Sequence, residues 1–127
     1  MTCVWDALHA RMDAAERTLL GVHPQYSPER LLTGIKAMAP RCMHAQPVRV
    51  NGEQLSAQFL REGLTRIMEV TEVRNGYDMS GCDPLLVLVS AMFSWHIKHT
   101  YAGTLIEYAP AKVVRQVQFG SSRSHFY

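Results

Sequence analysis

The sequence predicts an α+β fold, with N-terminal helices packed on a small, mostly antiparallel C-terminal sheet. Up to about residue 93, apolar residues recur at steps of three and four, which is the spacing of amphipathic helices. The last third of the chain instead holds segments rich in β-branched and aromatic residues, separated by turn signals. Helices followed by strands are typical of the α+β class.

The length and composition indicate one globular domain, residues 1–127. The chain is 47% hydrophobic and 19% charged, and its 127 residues can bury one core but not two. A formal net charge of +2 gives no reason to expect nucleic acid as a partner. No apolar run approaches the length of a membrane span, and the first residues lack the pattern of a signal peptide, so no membrane partner is expected.

The first two predicted helices are bounded by glycine and proline. Apolar residues recur at helical spacing from Val4 to Leu19, and Gly21 ends this helix. The second helix follows Ser27, a suitable N-cap. We expect Pro40 to stop it.

A short strand and turn, a third helix and a long loop come next. "VRVNGEQLS" predicts the strand and turn, and its last residue, Ser56, can cap the third helix. "RNGYDMSGCDP" has the composition of the longest loop. Asp83 followed by Pro84 then starts a short, heavily buried helix.

Three strands are predicted after the fourth helix. They are "WHIKHTY", "TLIEYA" and "VVRQVQF", with "AG" and "AP" as the turns between them and "HFY" as a last short strand. His96 and His99 have the spacing of a metal pair on a helix, but they fall in a strand, where positions three apart point to opposite faces. We therefore expect no metal there.

The cysteines at positions 3, 42 and 82 are odd in number and widely spaced. This pattern argues against a disulfide framework and against a structural zinc site. Reduced thiols in the cytoplasm are the expected state, and we expect no metal or organic cofactor.

Cys3 is the candidate nucleophile. If the first helix begins at this residue, its thiol lies beside free backbone amides and the positive end of the helix dipole, which favour a thiolate. The backbone amides of Thr2 and Cys3 are then candidate donors to an oxyanion. The alternative is that Cys3 is a small apolar residue near a helix end.

His125 is the candidate general base. It follows a turn-like "FGSS" and precedes two aromatic residues that can shield an imidazole. The alternative is a surface histidine at a loose chain end. Cys82 is the rival nucleophile, although the adjacent Asp83 would raise the pKa of its thiol. Cys42 is placed in a loop and is expected to be incidental.

The two ends of the chain resemble a known family. "TCVWDALHA" is similar to the nucleophile segment of papain-like cysteine peptidases, especially the ovarian tumour (OTU) deubiquitinases, in which a cysteine opens a helix. The far end is similar as well, with a hydrophobic strand, a short turn and His125 followed by Phe126. The middle is compatible, including a strand centred on Ile97. The resemblance spans most of the chain and implies an OTU-like fold.

Two departures from the family are visible. Many members place asparagine or aspartate two residues after the histidine, where this chain has Tyr127. Either an orienting acid lies elsewhere, or the site is a Cys–His dyad with a looser imidazole. The family's aspartate before the cysteine is also missing, since the chain starts too late to show it. We therefore expect a segment excised from a longer protein, such as a viral polyprotein.

The resemblance implies a monomeric deubiquitinase that hydrolyses bonds after the C-terminal glycine of ubiquitin or a ubiquitin-like protein. Asp78 and Asp83 are the candidates for pairing with arginines of the ubiquitin tail, and Asp83 has the alternative role of a helix cap. Two other functions stay open. One is a viral protease that cuts its own polyprotein in the host cytoplasm, and the other is an inactive interaction domain that binds ubiquitin.

Overall fold

The computed structural model describes residues 2–122 and 125–127. The helices are α1 (Cys3–Arg11), α2 (Ala14–Leu19), α3 (Pro28–Cys42), α4 (Ala57–Met68) and α5 (Pro84–Phe93). The strands are β1 (Val48–Val50), β2 (Glu53–Gln54), β3 (Trp95–Tyr101), β4 (Thr104–Pro110) and β5 (Arg115–Ser121). The predicted α+β class is confirmed: N-terminal helices accompany a mixed, mostly antiparallel sheet of five strands.

The single helix predicted from Val4 to Leu19 is wrong, because the chain breaks into α1 and α2. Met12 is extended, with φ −74° and ψ 142°. The Asp13 carboxylate accepts from the Glu16 amide at 2.8 Å, and the Glu16 carboxylate accepts from the Asp13 amide at 2.8 Å. This reciprocal capping box starts a new helix and so ends the first one.

Helix α3 continues through Pro40 to Cys42, so the expected stop at Pro40 is wrong. A proline inside a helix removes one hydrogen bond and crowds the carbonyl four residues earlier, but Pro40 lies only two residues before the helix end and on the exposed side, so the helix tolerates it there. Cys42 is consequently the last residue of a helix rather than a loop residue.

The predicted N-caps are confirmed. Ser27, Ser56 and Asp83 each accept a hydrogen bond from a backbone amide in the first turn of α3, α4 and α5. Helix α5 is buried on nearly every side and packs against both the other helices and the sheet. Among the described residues, every helix is too short or too polar to span a bilayer.

The sheet has the strand order β2-β1-β4-β3-β5. The neighbours are antiparallel except β3 and β5, which are parallel. Asn51 and Gly52, with φ 50° and 81°, form the predicted turn between β1 and β2. The turn predicted at "AP" is wrong: Pro110 still belongs to β4, and the Ala111 amide extends the pairing by donating to the Pro47 carbonyl at 3.0 Å.

Strand β5 brings the two ends of the chain together. The Arg11 side chain, at the end of α1, donates to the Gln118 carbonyl of β5 at 2.8 Å, and its guanidinium lies 4.5 Å from the centre of the Phe119 ring. After β5 the chain turns back, and Phe126 forms one antiparallel bridge with Ser121. The strand predicted at "HFY" is thus reduced to this bridge.

Candidate active site

Cys3 is the first residue of α1, which is the condition on which its role as candidate nucleophile depends. The N-cap, Thr2, does not cap the helix with its side chain. Its hydroxyl instead donates to the Asp6 carboxylate at 2.6 Å. The first amides of a helix have no acceptor within the helix, so the half-exposed thiol lies beside backbone donors that no side chain of the N-cap occupies.

His125 lies against this thiol. The Cys3 Sγ and the His125 Nδ1 are 3.4 Å apart, although the two residues are separated by 122 positions in the chain. The contact expected between the two ends is therefore present, at a distance that suits a sulfur–nitrogen hydrogen bond. The roles of nucleophile and base stay predictions.

Backbone hydrogen bonds to β5 and to Ser122 position His125. The Ser122 amide donates to the His125 carbonyl at 2.9 Å. Beyond it, Gly120 and Tyr127 exchange two backbone hydrogen bonds of 2.7 and 2.8 Å. Gly120 belongs to β5, so the segment that bears the His125 imidazole is hydrogen-bonded to the sheet.

The His125 ring has an aromatic neighbour instead of an acid. The ring of Tyr127 is stacked on it, with centroids 5.3 Å apart and an interplanar angle of 26°. Within residues 2–122 and 125–127, the one hydrogen bond of the imidazole is to Cys3. Of the two arrangements left open by the sequence, this part of the chain shows a Cys–His pair without an orienting carboxylate.

The pair opens into a cleft of about 450 Å³. Its lining includes two further groups of residues: the loop segment 75–79, which is the first wall, and Tyr101, Ala102, Ser121 and Ser122, which are the second wall. Asp78 lies on the first wall and is exposed, so its carboxylate can meet a ligand there. The structure thus brings Cys3, His125 and Asp78 to one cleft.

Two side chains that the sequence did not single out hold the first wall in place. Arg66, in α4, donates to the Asp78 carbonyl at 2.7 Å. The Tyr77 hydroxyl donates to the Asp83 carboxylate at 2.9 Å, and the Tyr77 ring packs edge-on against Trp5 of α1. Burial, followed by the charge of Asp83, raises the pKa of Tyr77, so its hydroxyl remains a donor. Nothing in the sequence around Arg66 signals this contact.

The structure does not bring Asp83, the other candidate for substrate binding, to the lining of the cleft. Its side chain is fully buried, and its carboxylate accepts hydrogen bonds from Tyr77, Ser80 and the Leu85 amide. Burial raises the pKa of this carboxyl, although the hydrogen bonds from Tyr77 and Leu85 counteract part of the effect. Asp83 caps α5, and its hydrogen bond with Tyr77 helps to hold the first wall of the cleft.

Cys42 and Cys82 lie in environments different from that of Cys3, which begins α1. Burial, together with the neighbouring Asp83, raises the pKa of the Cys82 thiol, which is the direction that the sequence predicts. Cys42 lies at the C-terminal end of α3 and is not among the residues that line the cleft.

His96 and His99 lie on opposite faces of β3, as predicted. His96 is paired with Glu107 at 3.0 Å on the partly exposed face. His99 is fully buried on the other face, with its Nε2 2.7 Å from the Ser121 hydroxyl. Among the described residues, no three potential metal ligands of the histidine, cysteine or carboxylate type form a cluster.

No family model, curated protein or solved structure matches this chain. The resemblance to OTU enzymes therefore depends on the two terminal motifs, and the chemistry of the site has to be inferred from its own geometry.

Proposed function

We propose that this chain is a cysteine peptidase of the OTU or papain-like kind. Its substrates are ubiquitin or ubiquitin-like proteins, cleaved at the peptide or isopeptide bond after their C-terminal glycine. The observation that carries the proposal is the 3.4 Å contact between Cys3 Sγ and His125 Nδ1, with the thiol at the start of α1 and both residues lining one cleft.

The mechanism needs only these groups. His125 takes the proton of the Cys3 thiol, and the thiolate attacks the carbonyl carbon of the scissile bond. The backbone amides of Thr2 and Cys3 donate to the oxyanion of the tetrahedral intermediate. His125 then gives the proton to the leaving amine, which leaves a thioester on Cys3. Water, deprotonated by His125, hydrolyses this thioester and restores the thiol.

The cleft supports a slender, basic substrate segment. Small residues, Gly76 and Ala102, lie on its two walls, which suits a tail of glycines. The exposed carboxylate of Asp78 on one wall can pair with an arginine upstream of the glycines. These two features favour a ubiquitin-like tail over a bulky, acidic peptide.

The test is covalent labelling with ubiquitin that carries a thiol-reactive group in place of its C-terminal carboxylate. We expect the protein to form a stable adduct with this probe. Cys3→Ala should abolish the adduct, whereas Cys42→Ala and Cys82→Ala, the matched controls, should keep it. Hydrolysis of ubiquitin aminomethylcoumarin should show the same dependence on Cys3.

A set of short peptides unrelated to ubiquitin, assayed in parallel, separates the alternatives. Cleavage of these peptides alone would replace the deubiquitinase proposal by a polyprotein-processing protease. Absence of both labelling and cleavage, with ubiquitin binding retained, would favour an inactive interaction domain.

A further inference from the structure

The His125 imidazole makes two contacts, one at the edge of the ring and one on its face. Its Nδ1 contacts the Cys3 thiol at 3.4 Å, and its face is stacked on Tyr127 at a centroid distance of 5.3 Å. This distance and the 26° interplanar angle fall in the range of offset aromatic stacking. Within the described residues, the ring makes no hydrogen bond with an acid or amide side chain, so the stack is the feature that can fix its plane.

The Tyr127 ring lies against Gly120, although the residue is 58% exposed. Two backbone hydrogen bonds tie Tyr127 to Gly120 of β5, and the phenol ring lies directly on this glycine. A Cβ atom at Gly120 would lie 2.5 Å from Tyr127 Cε2 and 2.8 Å from Cζ, closer than side-chain packing permits. The missing side chain of Gly120 therefore makes the space in which the tyrosine ring lies.

We propose that Tyr127 is the positioning residue of His125 and orients the imidazole by stacking. The proposal rests on the cysteine-peptidase function proposed above. Contact with a flat ring limits rotation of the imidazole about its Cβ–Cγ bond, which keeps Nδ1 directed at Cys3. The ring face performs this role and the phenol hydroxyl does not, so phenylalanine should replace tyrosine without loss.

The first experiment compares Tyr127→Phe with Tyr127→Ala. We expect Tyr127→Phe to keep kcat for ubiquitin aminomethylcoumarin within about twofold of the parent. Tyr127→Ala should lower kcat roughly three- to tenfold, the range that a stacking contact supports, with KM changed less than about twofold. Alkylation of Cys3 by iodoacetamide should slow by a similar factor in Tyr127→Ala, whatever the natural substrate is.

The second experiment uses Gly120→Ala, which displaces the ring without removing it. We expect a loss of kcat in the parent background and no further loss when Gly120→Ala is added to Tyr127→Ala, since contacting residues are non-additive when one acts through the other. Unfolding in urea is followed for all variants. A loss of kcat that is additive in the double variant would overturn the role of the ring.

The outcomes separate this proposal from the function on which it rests. If Cys3 is alkylated no faster in the parent than in His125→Ala, His125 does not activate the thiol and both proposals fail. If His125→Ala slows alkylation but Tyr127→Ala does not, the cysteine peptidase stands and the positioning role of Tyr127 is overturned. A Tyr127→Phe variant as slow as Tyr127→Ala would also overturn it, because the hydroxyl would then be the group that matters.

Discussion

The Tyr77 hydroxyl donates a 2.9 Å hydrogen bond to the buried carboxylate of Asp83. This bond links one wall of the cleft to the N-cap of α5. The wall is thereby coupled to the most buried helix of the molecule. The geometry of the candidate site should accordingly depend on residues that no substrate touches.

Replacing Tyr77 by phenylalanine tests this coupling. Tyr77→Phe leaves the buried carboxylate with one donor fewer, so we expect the free energy of unfolding to fall by about 1–3 kcal/mol. Tyr26→Phe is the matched control, because its hydroxyl also donates to an aspartate, Asp6, but that aspartate is exposed. In Tyr26→Phe the free energy of unfolding should fall by less than about 1 kcal/mol. Urea denaturation measures both, and equal losses would contradict a supporting role for the buried bond.

Asp78 should contribute to substrate affinity and not to the chemical step. Its carboxylate is exposed on the cleft wall, where a pair with an arginine contributes about 0.2–1 kcal/mol. Asp78→Asn should therefore raise KM for ubiquitin aminomethylcoumarin by roughly 1.4- to fivefold at low salt, with kcat unchanged. The difference should shrink as salt is added.

The control for Asp78 is Glu53→Gln, which removes an exposed carboxylate from β2, at the far edge of the sheet. It should leave KM unchanged. A similar rise of KM in both variants would show a general charge effect, and the assignment of Asp78 to substrate binding would then be wrong.

Features set by local chemistry could be predicted from the sequence. The N-caps Ser27, Ser56 and Asp83 depend on residues within one helical turn, and all three predictions are confirmed. The break between α1 and α2 could also have been predicted, since Asp13 and Glu16 have the spacing of a capping box. The apolar periodicity continues across the break and by itself predicts one helix.

Features set by packing between distant segments could not be predicted. The parallel pairing of β3 with β5 depends on where the chain returns to the sheet. Asp78 and Asp83 lie in the same predicted loop, but the structure exposes Asp78 and buries Asp83 completely. The stacking of Tyr127 on His125 needs the space above Gly120, which no local pattern shows.

Gly34 should be required for the packing of α3 against the end of α2. A Cβ atom there would lie 2.2 Å from the Leu20 carbonyl oxygen, and this backbone atom cannot rotate away. We expect Gly34→Ala to destabilise the fold by about 1–3 kcal/mol, in spite of the higher helix propensity of alanine.

Gly81→Ala is the matched control for Gly34, because no atom of the described residues lies within 4 Å of its added Cβ. It should change the free energy of unfolding by less than about 0.5 kcal/mol. Urea denaturation of the two variants beside the parent provides the measurement. A Gly34→Ala variant as stable as the parent would show that α2 and α3 separate without penalty.

The buried His99 should make the stability of the fold sensitive to acid. Burial lowers the pKa of this imidazole below its usual value of 6.5. Its Nε2 is bonded to the Ser121 hydroxyl, and its Nδ1 is buried with no partner among the described residues. A protonated ring would therefore bury an N–H donor without an acceptor.

The sign of the effect follows from proton linkage. Between the lowered pKa and 6.5, the unfolded chain binds a proton at His99 that the folded chain does not bind. The contribution of His99 to the free energy of unfolding is therefore fully present above pH 6.5. It is lost as the pH falls toward the lowered pKa. His99→Gln can keep the bond to Ser121 but binds no proton. Between about pH 7.5 and pH 5 it should lose less stability in urea than the parent does. The exposed His44 provides the control His44→Gln, and identical pH dependence in the parent and both variants would contradict a titrating role for His99.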